Sequence, residues 1–131
     1  MARPKQTQPT PGELELLNIL WERGASTVRE VLEVLEGRSQ GRAYTSVMSL
    51  LNVMAEKKLV VRKAQGRAFV YVAKKPRDAT LGGLVGDLWQ RAFGGSAAAV
   101  VMHLLDEANP SAEELAEIRK ILEAHQPQGE D

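Results

Sequence analysis

The spacing of apolar residues changes twice along this chain of 131 residues. Before residue 59 they recur every three to four positions, which is the period of an amphipathic helix. Between residues 59 and 73 they alternate, which is the period of a β-strand, and from residue 78 the helical spacing returns. The pattern therefore predicts a mainly α chain with one small β-hairpin.

Capping residues set the expected starts of the first two helices. Thr10 with Glu13, and Thr27 with Glu30, have the spacing of a capping box. A third helix is expected from about residue 43 to 57. The side chains predicted to be buried are Leu14, Leu17, Leu20 and Trp21 in the first helix, Val28, Val31, Leu32 and Leu35 in the second, and Val47, Leu50, Leu51 and Met54 in the third.

The two expected strands are short and basic. They cover Leu59–Lys63 and Ala68–Ala73, and Gly66 supplies a positive φ in the turn between them. Three helices followed by such a hairpin have the element order of a winged helix-turn-helix domain. We expect a mobile tail at 1–9, this winged-helix domain at 10–75, a C-terminal helical dimerisation domain at 76–125 and a second mobile tail at 126–131.

Charge is distributed unevenly although the formal net charge is zero. Residues 1–77 contain 14 Lys and Arg against 7 Asp and Glu, whereas residues 78–131 contain 3 against 10. A basic half of this kind favours contact with a polyanion such as nucleic acid. The alternative is that the charges only keep an exposed face hydrated.

The residue types argue against catalysis and metal binding. The chain has no cysteine and only two histidines, His103 and His125, both in the acidic half. No catalytic or phosphate-binding motif and no set of metal ligands is evident, so we expect no enzyme, no metal and no cofactor. The polar, basic start does not resemble a signal peptide, and no apolar run is long enough to cross a membrane, so a cytoplasmic protein without membrane contact is expected.

The third helix carries the candidate DNA contacts. In a helix-turn-helix domain this helix enters the major groove and reads base edges with its N-terminal residues. The hydroxyl groups and methyl groups there suit bases or phosphates, and flanking arginines suit phosphates. The candidates are Arg42, Tyr44, Thr45, Ser46, Met48, Ser49, Asn52 and Arg67. Simple solvation is the alternative for the hydroxyl residues, and for Lys57, Lys58, Arg62 and Lys63 protection of a strand edge is favoured.

The three helices expected after residue 78 have apolar stripes and no sheet to cover them. Because soluble monomers avoid large exposed apolar patches, we expect a homodimer, with packing onto the first domain as the alternative. The predicted interface residues are Leu81, Leu84, Val85, Leu88, Trp89, Phe93, Val101, Leu104, Leu105, Ile118 and Leu122.

Six sequence segments follow one another along the chain: ILWERG, TVREV, AYTSVMSLLNVMAEKKLV, GRAFVY, FGGS and SAEELAEIRKIL. In these segments, from about Thr10 to Leu122, the chain resembles the penicillinase-repressor family of the BlaI/MecI type. The resemblance implies a homodimeric winged-helix repressor that sits on a palindromic operator of double-stranded DNA and blocks the promoter. It assigns recognition contacts to Thr45, Ser46, Met48 and Ser49, and the wing contact to Arg67.

The chain departs from that family at identifiable positions. Val53 stands where members often have arginine, and Lys58 where they often have glycine. The penicillinase repressors are inactivated by a protease that cuts an Asn-Phe bond in the fifth helix. This chain has Met102 and His103 at that place. Whether an inactivating protease is a partner of this chain therefore stays an open question. Copper-responsive relatives have a cysteine cluster that is missing here. The sequence thus favours a DNA-binding transcriptional repressor, with a winged-helix protein–protein interaction module as the alternative.

Overall fold

The computed structural model describes residues 8–38 and 41–127. Most of the two expected terminal tails lies outside the described residues, as does part of the loop before the third helix. The chain forms two compact units that divide after Val85.

Six helices and one hairpin make up the described chain, in an order that confirms the predicted mainly α fold. The antiparallel strands pair in a register that sets Val60 opposite Ala73 and Gln65 opposite Ala68. The elements are α1 (Pro11–Arg23), α2 (Val28–Gly37), α3 (Tyr44–Glu56), β1 (Val60–Gln65), β2 (Ala68–Ala73), α4 (Arg77–Arg91), α5 (Ala97–Ala108) and α6 (Ala112–Ala124).

Both predicted capping boxes are confirmed. The backbone N–H of Thr10 donates to Glu13 Oε1 at 2.9 Å, and the Glu13 N–H donates back to the Thr10 hydroxyl at 3.3 Å. Thr27 and Glu30 repeat the arrangement at 2.8 and 3.1 Å. The hydrogen bond from the Thr27 backbone lowers the pKa of the Glu30 carboxyl. These pairs satisfy N–H groups that a helix start leaves without intrahelical partners.

The hairpin is longer than predicted. The strand expected to end at Lys63 continues to Gln65, so the turn contains only Gly66 and Arg67. Gly66 has a φ of 61°, as the turn requires. The prediction ended too early because the tip of the hairpin projects into solvent, where backbone pairing continues without the apolar alternation that marks a strand.

The core lies between α1, α2, α3 and the base of the hairpin. The predicted stripes of α2 and α3 are largely confirmed, but that of α1 is partly wrong: Leu14 and Trp21 are only half-buried, whereas Leu16 and Ile19 are fully buried. Helix α1 contacts α2, α3 and β2, so it buries a wider face than a single stripe. The buried apolar residues are Leu16, Leu17, Ile19, Leu20, Val28, Val31, Leu35, Val47, Leu51, Met54, Val60 and Tyr71.

Two polar contacts connect distant parts of the first unit. The Glu13 side chain is 3% exposed, and its Oε1 accepts a hydrogen bond from Lys57 Nζ at 2.6 Å. The Trp21 Nε1–H donates to the Lys75 carbonyl oxygen at 3.0 Å. The first contact joins the start of α1 to the end of α3, and the second joins α1 to the segment that follows β2.

Lys58 adopts a left-handed conformation, with a φ of 66°, in the turn between α3 and β1. A side chain is strained there and glycine is not, so Lys58→Gly should raise the free energy of unfolding by about 1 kcal/mol in urea titrations. Lys58→Ala is the matched control, since it removes the same charge but keeps the strain. Equal stability of the two variants would contradict the strain argument.

The last three helices contain little that is shielded from solvent. No residue of α4, α5 or α6 is buried within this chain. The rings of Phe93 and His103 contact each other with centroids 5.1 Å apart. Within the described ranges, no helix has the length and apolar character needed to cross a membrane, and no cluster of three potential metal ligands occurs.

Candidate nucleic-acid interface

Helix α3 has a buried side and an exposed side of different chemistry. Val47, Leu51 and Met54 are completely buried, which fixes the helix against the core. The other side exposes Thr45, Ser46, Ser49 and their neighbours, beginning at the first turn. The predicted hydroxyl-bearing residues therefore share one accessible face.

Arg42 lies beside this face, just before α3 begins. Its guanidinium donates to the Glu15 carboxylate of α1, and its side chain lines the same shallow surface as Thr45, Ser46 and Ser49. The ion pair orients Arg42 next to the hydroxyl groups. Because the Arg42 side chain is 36% exposed, other N–H groups of its guanidinium stay accessible.

Tyr44, Met48 and Asn52 form the neighbouring row of α3, one helical turn apart. Tyr44 is 42% exposed and Met48 36% exposed. The guanidinium carbon of Arg29, at the start of α2, lies 5.7 Å from the centre of the Tyr44 ring. An arginine near the face of an aromatic ring gains a favourable cation–π interaction, so Arg29 and Tyr44 act as neighbours in this surface.

Asn52 connects α3 to the hairpin. Its Oδ1 accepts hydrogen bonds from the Tyr71 hydroxyl at 2.9 Å and from Arg62 Nη1 at 3.3 Å. Asn52 was predicted as a DNA contact, but its side-chain oxygen is occupied inside the protein, while the amide nitrogen keeps its donors. Asn52 has a structural connection that its position on the helix alone did not reveal.

Between α3, the start of α2 and the hairpin lies an open cleft of about 480 Å³, called here the wing cleft. Arg67, predicted as the wing contact, lines it together with three predicted residues of α3. Sequence reasoning missed Arg29 and Phe69, and it assigned Arg62 to edge protection. The full lining is Thr27, Val28, Arg29, Tyr44, Met48, Asn52, Arg62, Arg67, Ala68, Phe69 and Tyr71.

The predicted dimer residues are exposed or half-buried within one chain. Leu104 and Leu122 are 58% and 61% exposed, and Val101, Leu105 and Leu122 line one apolar groove on α5 and α6. Met102 and Ile121, which are not among the predicted interface residues, are also exposed, at 60% and 67%. Leu81, Leu84, Phe93, Leu105 and Ile118 are partly exposed, whereas Val85, Leu88, Trp89 and Val101 are exposed.

Comparison with known proteins gives consistent results. The family model described as penicillinase repressor matches residues 9–124. The protein named transcriptional regulator BlaI, in two strains of Mycobacterium tuberculosis, is 37% identical over 116 residues, which cover 82% of this chain and 83% of the relative. The penicillinase repressor of Bacillus licheniformis is 26% identical over 121 residues, covering 92% and 94%. The chain therefore belongs to the penicillinase repressor family, whose members are transcriptional regulators rather than enzymes.

Proposed function

We propose that this chain represses transcription as a homodimer on a palindromic operator, with α3 in the major groove and the hairpin wing on the phosphate backbone. The observation that supports this most is the composition of the exposed face of α3. Short uncharged hydroxyl side chains, Thr45, Ser46 and Ser49, lie along one accessible surface, with Arg42 at its edge. We assign residues 10–75 to DNA binding and 76–125 to dimerisation.

This face suits the major groove both sterically and chemically. Short side chains let the helix backbone approach the base edges closely, and hydroxyl groups donate to or accept from bases. The methyl group of Thr45 and the thioether of Met48 suit contact with a thymine methyl group. Arg42 and Arg67 supply the positive charge that the flanking phosphates require.

The proposal of a dimer rests on the exposed apolar residues of the second unit. In residues 86–127 no side chain is buried, yet leucine, valine, isoleucine and tryptophan side chains are exposed. A second copy of the same surface would cover them in a two-fold arrangement. Two recognition helices would then meet half-sites about 34 Å apart, or a multiple of that distance.

Cleavage of α5 fits the same proposal as a route to induction. Met102 and His103 lie inside α5. The resemblance places them at the family's cleavage position, where they replace the Asn-Phe pair of the penicillinase repressors. A cut there would separate α6 from the preceding helices and remove part of the proposed dimer surface, so paired half-site binding would weaken. We also infer a cytoplasmic protein, because a repressor must reach the genome.

Removing hydroxyl groups from the exposed face of α3 should weaken binding to a selected duplex more than binding to a duplex of scrambled sequence. The double variant Thr45→Ala, Ser46→Ala should bind a duplex selected by the wild-type protein roughly tenfold more weakly, because two hydrogen-bonding groups are lost. Its affinity for a scrambled duplex should change little, since phosphate contacts are kept. Fluorescence anisotropy with both duplexes measures the two affinities.

Two controls separate base recognition from other effects. Thr45→Ser keeps the hydroxyl group and should retain most of the specific affinity, and Thr80→Ala, which removes a hydroxyl group from α4 rather than from this face, should change neither affinity. Equal losses on both duplexes would show that α3 does not read sequence. A wild-type protein that selects no duplex would favour the protein–protein interaction module instead.

A further inference from the structure

Arg62 is held on two sides within the wing cleft. Its guanidinium carbon lies 4.5 Å from the centre of the Phe69 ring, and its Nη1 donates to Asn52 Oδ1 at 3.3 Å. The cation–π contact holds the guanidinium over the Phe69 ring, and the hydrogen bond from Nη1 to Asn52 limits its rotation. The remaining N–H donors of this arginine are presented in a fixed direction.

The hairpin register explains this arrangement. Arg62 lies opposite Tyr71, and Phe69 is the diagonal neighbour on the same face of the sheet, within reach of a long side chain. The Tyr71 hydroxyl donates to the same Asn52 oxygen at 2.9 Å, so one amide of α3 joins both strands of the wing. The position of the Arg62 cation is thereby tied to the helix proposed to read bases.

The charges of the wing cleft are all of one sign. Arg29, Arg62 and Arg67 line it, and no carboxylate does among the residues the structure describes. Three guanidinium groups around one cleft repel each other unless an anion is bound. The cleft also offers apolar surface, since Phe69 is 47% exposed and Tyr44 borders it. Cations beside apolar rings match the alternating phosphates and deoxyriboses of a DNA strand.

We propose that the wing cleft seats the sugar–phosphate backbone of one DNA strand, with Arg62 as its central cation. Phe69 and Asn52 are positioning residues that hold this cation relative to α3. The proposal rests on the proposed DNA-binding function and extends it, because it gives Arg62 a direct phosphate contact in place of edge protection. The wing then follows any movement of α3 in the groove.

Salt dependence of DNA binding tests the phosphate contact. For a duplex selected by the wild-type protein from a random-sequence pool, Arg62→Gln should reduce the slope of log affinity against log salt by about 0.9, the value for one lost phosphate contact. Lys63→Gln removes a charge from the adjacent residue, on the opposite face of the hairpin, and is the matched control. Its slope should stay closer to the wild-type value.

Substitutions that keep the charge test the positioning. Arg62→Lys should keep the wild-type slope but lose about two- to fivefold in affinity, because an ammonium group lacks the planar, multi-donor shape of the guanidinium that lies over the Phe69 ring. Phe69→Leu should cause a similar loss. The double variant should lose no more than the larger single loss, since both changes remove the same interaction. Thermal unfolding checks that all variants remain folded.

Each outcome bears on a defined part of the proposal. An unchanged slope for Arg62→Gln would overturn the phosphate contact, and wild-type affinity for Arg62→Lys would overturn the positioning by Phe69. Additive losses in the double variant would mean that the two residues act separately, which also contradicts the positioning. A wild-type protein that selects no duplex would remove the DNA-binding function itself, a result distinct from the other three.

Discussion

Leu88→Asp should convert the proposed homodimer into monomers and lower the affinity for the selected duplex by at least about 100-fold, because two linked half-sites bind far more tightly than one. Leu88 is 49% exposed in the single chain and belongs to the apolar surface proposed to pair with a second copy. A carboxylate in that interface would lose its hydration without gaining a partner. Light scattering gives the mass, and anisotropy gives the affinity.

Gln90→Asp introduces the same charge on the same helix at a position that is already polar and exposed, so it should remain dimeric and bind normally. Circular dichroism should show that both variants keep their helices. A dimeric Leu88→Asp protein would place the interface elsewhere. A monomeric one with unchanged DNA affinity would separate operator binding from dimerisation.

Lys57→Met should reduce the free energy of unfolding by about 3 kcal/mol, the typical cost of leaving one charge of a buried ion pair without its partner. The Lys57 side chain is only 13% exposed and that of Glu13 only 3%, so little water reaches the carboxylate. Methionine has a similar shape to lysine, which limits the effect of packing. Urea titration followed by circular dichroism measures the change.

Two further variants separate charge from shape. Lys74→Met, at an exposed lysine, should leave stability almost unchanged. Glu13→Gln combined with Lys57→Met should recover much of the loss, because it removes the unpaired charge. If the double variant is no more stable than Lys57→Met alone, loss of packing rather than an isolated carboxylate causes the destabilisation.

Local chemistry predicted much of this fold. Thr10 and Thr27 marked two helix starts because a capping box needs only residues within one turn, and Gly66 marked the hairpin because a tight turn requires its backbone freedom. The exposed hydroxyl face of α3 followed from the helical position of Val47 and its neighbours. Each of these features depends on residues that are close in sequence.

Contacts between distant residues escaped prediction. The carboxylate of Glu13 caps α1 and also neutralises Lys57, which is 44 positions away. Asn52 looked like a free recognition residue because nothing local shows that Arg62 and Tyr71 share its oxygen. Arg29 was missed since only the folded chain brings the start of α2 against Tyr44. These partners are set by tertiary packing, which periodicity does not encode.

The hydrogen bond from Trp21 to the Lys75 carbonyl has a spectroscopic consequence. The chain has two tryptophans, Trp21 in the first unit and Trp89 in the second. Indole emission responds to the polarity around the ring and to the partner of its N–H. Each unit therefore contains its own tryptophan. Replacing Trp89 by phenylalanine leaves a single tryptophan, whose emission reports on the hydrogen bond that ties the chain just after the wing to α1.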